Sequence, residues 1–551
     1  MPRRRIIARI TTFALLAAAA AGCHSRIDRA TPTNGGTLVI GMTSDPGPLV
    51  PPISSSQLLT EVADQLFDPL AERSPGGSTI GDAGFQPRLA ESWSWSADSL
   101  AIAFHLNPRA RWHDGVPVRA SDVRFSFQVY RDTMAGSVFA AALARIDSVT
   151  VRDSLTPVFH FSLRYPHQFY DAATDMLILP EHVLGSIAPV TWRSSEFANH
   201  PVGSGRFRLV TRTPLTLRAD TLNYRGRPHI GTLIFLVEPD IARLAQRFLN
   251  GEMDFAPHLS TADVAEAPRH PRVRLVEWPA GSVGYLLFNC HNPILADRAV
   301  RLALSMGVDR RHDVTMVFDT LARLGIGPIP RSEPFADTTV RLPAYDLAAA
   351  RRLLDGAGWV IAGPDSIRFK HGRPLRFTIS VPTTSAERQR LAELLREDFR
   401  KLGATVEIET LDFNTYLTTV TAGQFDATIY RISFDAFASS LAGWWGRHGS
   451  PITGGRNFGA YDNAAFDALV DSANNTSDTA ATRRLIRQAV QTLVSDAPAV
   501  WIYESRNIGG IDRRVRPVLA RGERWFADLG DWWIDRNDAL ARDGPRTSRP
   551  H

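Results

Sequence analysis

The chain has 551 residues, 44% of them hydrophobic and 22% charged, the ordinary balance of a globular protein. Its formal net charge of +5 is small for that length, and no basic run is interleaved with aromatics, which excludes an extended nucleic-acid surface. Lys370 and Lys401 are the only lysines, so the positive charge is nearly all arginine, and the length allows about two to four domains.

At the N-terminus Arg3, Arg4, Arg5 and Arg9 precede an apolar run over residues 10–21. That run is too short to span a bilayer and has the basic-then-apolar order of an export signal. It ends in Ala20-Ala21-Gly22-Cys23, small residues before a cysteine, the pattern of a lipoprotein processing site with Ala20 where leucine is usual. A lipid on Cys23 would tether the chain to a membrane surface; the alternative is a plain secretory signal cut nearby. With Cys23 lipidated, Cys290 stands alone, no intrachain disulfide forms, and Cys290 reads as a small buried apolar residue. A polar linker follows to residue 34.

Residues 36–41 read as a first buried strand, the loop after it holds Ser44 and Asp45, and residues 58–70 have a helical pattern. Leu100, Ile102, Phe104 and Leu106 alternate with smaller or polar residues, predicting a strand with one buried face. Asn107-Pro108 stops it, and Trp112-His113 leads into an Asp114-Gly115 turn. Ser121 suits an N-cap and Asp122 the positive end of a helix. Gly203-Ser204-Gly205 lacks the Gly-Lys-Ser/Thr ending and following helix of a phosphate loop, so it reads as a sharp turn. Strands are expected over 233–237, 285–289, 375–381 and 406–410, and helices over 344–359 and 386–402. This β-α-β alternation predicts a mainly parallel sheet covered by helices. There is no H-E-x-x-H, C-x-x-C, G-x-S-x-G or P-loop, so no catalytic, metal or cofactor site is expected from motifs.

The ordered set Leu89-Ala90-Glu91-Ser92-Trp93, Phe104-His105-Leu106, Trp112-His113-Asp114-Gly115 and Ser121-Asp122-Val123 resembles the signature of the solute-binding proteins of peptide-type ABC importers. The best known of these are the oligopeptide- and dipeptide-binding proteins. The resemblance continues through Pro201-Val202-Gly203-Ser204-Gly205, Asn250-Gly251-Glu252-Met253-Asp254 and Asp496-Ala497-Pro498, over residues 36–535.

The resemblance implies an α/β, two-lobed periplasmic-binding-protein-like fold of the large type II class, with an additional domain inserted in lobe I. It divides the chain into a signal (1–22), a linker (23–34), lobe I (35–70, 196–285 and 500–540), an insertion (71–195), lobe II (286–499) and a tail (541–551). Placing Phe425-Asp426 on the family's "FD" brings Asp435 onto the position that counters a ligand's α-ammonium. Arg431-Ile432 replaces the family's "GW" and Ala438-Ser439 its "DP", so Arg431 either neutralises Asp435 or faces a ligand carboxylate itself. Ser44 and Asp45 lie near the ligand by the same resemblance, or form a turn without that role. Asn289, at the end of the strand entering lobe II, is a further ligand-binding candidate by the resemblance, and Trp444 and Trp445 form a ligand wall or lobe core.

The implied function is a substrate-binding lipoprotein of an ABC transporter. It captures a peptide or similar small polar solute and delivers it to a membrane permease, as a monomer, without cofactor or nucleic acid, in the periplasm or cell envelope. Alternatives are a nickel-chelate or opine-like ligand on the same scaffold, a hydrolase with an unrecognised site, and a structural or chaperone-like lipoprotein.

Overall fold

The computed structural model describes residues 32–53, 56–132, 136–137, 139–140, 143–174, 176–362, 366–434, 439–449, 455–516, 520–522 and 524–543. The export signal, Cys23, most of the linker, Asp435 and the end of the tail lie outside the described residues.

Strand β1 (Thr37–Met42) is buried along its whole length. Leu38, Ile40 and Met42 face one apolar cluster while Val39 faces another, the period of two that a strand between two covered faces requires. Helix α1 (Gln57–Leu66) starts at Ser56, whose hydroxyl accepts the Leu59 N–H. It ends earlier than its sequence pattern suggests, with Phe67 extended, since Asp68 precedes Pro69 and proline disfavours a helical residue before it.

Strands β2 (Ala90–Trp95), β3 (Ala101–Leu106), β4 (Ile146–Asp153) and β5 (Thr156–Phe161) form a separate four-stranded sheet in the order β2-β3-β5-β4. Its apolar face is continuous with the core under β1. Helix α2 (Ala120–Arg131) begins one residue before the Ser121 cap expected from sequence. Asp122 in its first turn accepts the Arg119 and Glu181 N–H groups and the Trp112 indole, so the carboxylate caps the helix and fixes its approach.

The Trp112–Gly115 turn is a staple. His113 Nδ1 accepts the Gly203 N–H at 3.1 Å, so Nε2 carries the proton and donates to Gly205 O at 3.0 Å. Gly205 N in turn donates to Leu66 O at the end of α1. A Cβ on Gly203 would stand 1.8 Å from Leu66 O, and one on Gly205 2.4 Å from Gln65 O. Glycine is needed here for the close approach of two backbones.

The main sheet also contains β6 (Phe207–Arg212), β7 (Leu215–Ala219), β8 (Thr232–Val237), β9 (Phe255–Ala256), β10 (Val273–Phe288), β11 (Ala322–Leu324), β12 (Arg376–Pro382), β13 (Thr405–Leu411), β14 (Ala427–Ser433) and β15 (Ala499–Asp512). It has 11 strands in the order β13-β12-β14-β10-β15-β9-β1-β8-β7-β6, with β11 on the flank of β15. It is mixed, not mainly parallel. The β9-β1-β8 and β13-β12-β14 groups are parallel, and antiparallel β10 and β15 join them.

Those two strands run through both lobes. Val273–Pro279 of β10 pairs with Arg506–Asp512, Val283–Leu287 pairs with residues 499–504, and the register breaks between Pro279 and Val283. A bulge at that point bends the pair. Below it lie the first-lobe clusters; above it Leu286 and Phe288 face one second-lobe cluster while Val283, Tyr285 and Leu287 face another.

Candidate functional site

At the register break a cavity of about 650 Å³ separates the two lobes, within the range of small-molecule sites. Pro279, Ala280 and Gly281 form its floor. The first-lobe wall carries Trp278 and Trp525, both 2% exposed, with Gln57 and Thr60 of α1 beside them. Trp525 lies 4.6 Å from the Phe255 ring and 6.4 Å from Trp278, a packed aromatic block that presents a rigid face. The second lobe supplies Ser332, Glu333, Ser433 and Phe434.

Several ion pairs fix the charges around this cavity. Glu72 pairs with Arg88 at 2.5 Å and with Arg521 at 3.7 Å, Arg521 grips Asp528 with two nitrogens, and Arg524 holds Asp64 at 3.0 Å. Arg73 and Glu333 face the cavity from opposite lobes. Burial pulls the Arg73 guanidinium below its ordinary range, and the Glu333 carboxylate works against that. Glu333 is positioned by its loop, because Arg331 bonds Glu504 of β15 at 3.0 Å.

Residues 74–84, a loop of the first-lobe side, reach across. Asp82 accepts the Trp93 and Trp95 indoles at 3.0 and 3.1 Å, and Gly81 N bonds Pro166 O. Ile80, directly before Gly81, is 4% exposed within the second-lobe cluster of Phe335, Val340 and Trp445. One apolar side chain of this loop is thus buried in the second-lobe core.

A profile of the family described as "Bacterial extracellular solute-binding proteins, family 5 Middle" matches residues 84–453. The chain belongs to this family. The binding protein is 24% identical to the oligopeptide-binding protein AppA of Bacillus subtilis over 512 residues, covering 91% of this chain and 92% of AppA. The structure of AppA in complex with a nonapeptide superposes with a TM-score of 0.72 at 23% identity, over 92% of this chain and 100% of that one. Di/tripeptide-binding protein 2 of Pseudomonas aeruginosa is 25% identical over 500 residues, 83% of this chain and 88% of its own. NikZ of Campylobacter jejuni in complex with Ni(L-His) has a TM-score of 0.72 at 21% identity, over 90% of this chain and 99% of that one. The fold is therefore the two-lobed periplasmic binding protein fold. Among the described residues, no helix of the binding protein is long and apolar enough to cross a membrane.

Among the described residues, none of the binding residues named from sequence lines this cavity. Asp435 lies outside the described residues. Arg431 is exposed on β14 opposite Gly284, two places from the cavity-lining Ser433 and so on the same face of the strand. Asp45 is exposed and bonds Arg212 at 2.9 Å and Gly47 N at 2.7 Å, closing its own turn, and Ser44 is exposed beside it. The Asn289 amide donates to Gly423 O and Phe425 O and tethers two loops beside a separate second-lobe cavity of about 530 Å³. Trp445 packs on Trp501 at 4.9 Å and on Tyr285 at 5.5 Å. Trp444 packs on Tyr430 and Phe458, under Arg456. Both tryptophans belong to lobe core. Cys290 packs against the same cluster, and burial pushes its thiol up, which lowers its reactivity.

The wall residues that the sequence left unmarked are Trp278, Trp525, Arg73 and Glu333. Nothing local distinguishes them, since tryptophan is more often core and both charges sit in ordinary loop composition. Glu61 of α1 had a weak signal, an acid within the apolar run Leu58-Leu59-Thr60-Glu61-Val62.

Proposed function

We propose that the protein is the substrate-binding component of an ABC importer, closing its lobes on a peptide or similar small polar solute and handing it to a membrane permease. The observation that carries this reading is the cavity at the strand crossing, walled by both lobes, in a chain of the solute-binding family. A ligand touching both walls makes contacts available only in the closed arrangement, and so selects it. The peptide assignment is supported by the names of AppA and the Pseudomonas relative. NikZ, with a nickel–histidine complex on the same fold, supports a small metal chelate as the second reading. In either case the solute leaves unchanged, and Cys23 carries the lipid that keeps the protein at the cell envelope.

Thermal stabilisation across di-, tri- and oligopeptides, nickel–histidine and opine-like solutes tests this, because a ligand bound only by the folded state raises the midpoint with concentration. Saturable stabilisation with the solute recovered intact is expected, and conversion of the solute sinks the reading. Asp435 follows Phe434 of the cavity wall directly in the chain. Asp435→Asn is expected to weaken peptides with a free amino terminus at least about tenfold while sparing N-acetylated ones, as befits loss of a charge partner.

A further inference from the structure

Beside the main cavity, α1 carries a carboxylate that the fold only half satisfies. Glu61 is 2% exposed. Its Oε1 accepts the Trp525 indole N–H at 3.1 Å and the Gln57 amide at 3.3 Å. Among the described residues no donor is bonded to Oε2, and no arginine, lysine or histidine forms an ion pair with this carboxylate. A buried anion held by two neutral donors on one oxygen is costly to the fold.

That carboxylate lines a pocket of about 180 Å³ whose other walls include Met42, Leu58, Ile241, Leu244 and His258. Gln57 borders both this pocket and the main cavity, and the indole that holds Glu61 belongs to the main cavity's aromatic wall. The side pocket therefore adjoins the place where a captured solute lies. Its walls are mainly apolar, with Thr43, Gln57 and His258 among them, and carry one carboxylate, which matches an alkyl stem carrying a cation.

We propose that this is a specificity pocket for a cationic group of the solute, an ammonium or guanidinium on an aliphatic stem, paired with Glu61. It rests on the solute-binding reading and names the class of solute. Burial pushes Glu61 up to about 7, with the Trp525 and Gln57 bonds opposing it. His258, the other titratable group on the pocket wall, is pushed down by burial, which disfavours its charged form. Asp64, one turn further along α1, is engaged by Arg524. A cation entering the pocket draws Glu61 into its ionised form and expels its proton, so binding strengthens with pH.

The test titrates n-butylammonium and its neutral counterpart butan-1-ol into the full chain, followed by NMR and calorimetry. The ammonium is expected to saturate, to bind at least about tenfold tighter than the alcohol, and to gain about tenfold between pH 6 and pH 8 as a group titrating near 7 ionises. Glu61→Gln abolishes the preference. Should that variant not fold, proton release by the wild type, read from the buffer dependence of the binding heat, decides. No saturable ammonium binding, equal affinity for the two probes, or binding without proton release overturns the proposal. A parallel pair, Ala-Lys-Ala and Ala-norleucine-Ala, separates it from the peptide reading. Ammonium preference with neither tripeptide bound keeps the pocket and removes the peptides. Equal binding of both tripeptides with no ammonium preference keeps the peptides and removes the pocket.

Discussion

Asp254 and Glu61 are two first-lobe carboxylates almost equally hidden from water, 0% and 2% exposed, and their surroundings differ completely. Asp254 receives Arg514 at 2.9 Å, Arg542 at 2.6 Å and the Val39 N–H at 2.8 Å. Arg514 also bonds Thr37 O and Asp543. Every charge there has its partner, and the result ties β1 to the end of the described chain. Glu61 has only two neutral donors, both on one oxygen. A saturated network serves the fold alone, whereas an incomplete one beside a cavity keeps capacity for something that arrives later.

Four changes test that contrast, the largest effect first. Asp254→Ala strands two arginines in the interior and is expected to cost about 3–5 kcal/mol, read from urea unfolding. A loss under about 1 kcal/mol would mean that the network is not what fastens the termini.

Glu61→Gln acts in the opposite sense at high pH. Because the folded-state value of about 7 lies above the ordinary 4.5, the folded protein binds the proton more tightly. Wild-type stability from this group is thus complete below pH 4.5 and lost as pH rises through 7, by about 3 kcal/mol at 1.36 kcal/mol per unit. The glutamine variant should match wild type near pH 5 and exceed it near pH 8 in chemical denaturation. A variant less stable at both pH values would place Glu61 with Asp254 as a structural group.

Ile80→Ala removes the side chain that the 74–84 loop buries in the second-lobe core. Burial of such a residue is worth about 2–5 kcal/mol, here chiefly to the closed arrangement, so solute affinity should fall at least about tenfold and the scattering radius of the loaded protein should grow. Unchanged affinity would deny the loop any part in closure. The smallest effect belongs to Asp45→Asn. Its bond to Arg212 is exposed, which makes it worth under about 1 kcal/mol, and affinity should not change. A marked loss of binding would return Asp45 to the site that the cavity geometry leaves it out of.

The scaffold was readable because its signature is local and its partners recur in a fixed order. The Trp112–Gly115 turn and the Gly203–Gly205 turn each announce themselves by residue type, and folding joins them through His113. The alternation in residues 100–106 and the apolar stripe of 386–402 needed no tertiary information either, since a strand and a helix each declare which face is buried. The β-α-β pattern predicts parallel strands where β10 and β15 run antiparallel. Helical crossovers show in sequence, but the long connections that return a strand antiparallel do not.

What the sequence determined by itself is therefore the framework: two lobes, their helices and strands, and the turns that lock them. The tertiary structure alone decided the site, because Gln57, Arg73, Trp278, Glu333, Ser433 and Trp525 come from across the chain and meet only at the strand crossing. It also decided which charges are paired within the fold. The reason is physical: residue type fixes whether a side chain can carry charge, but only its neighbours fix whether that charge is satisfied, and neighbours are made by folding.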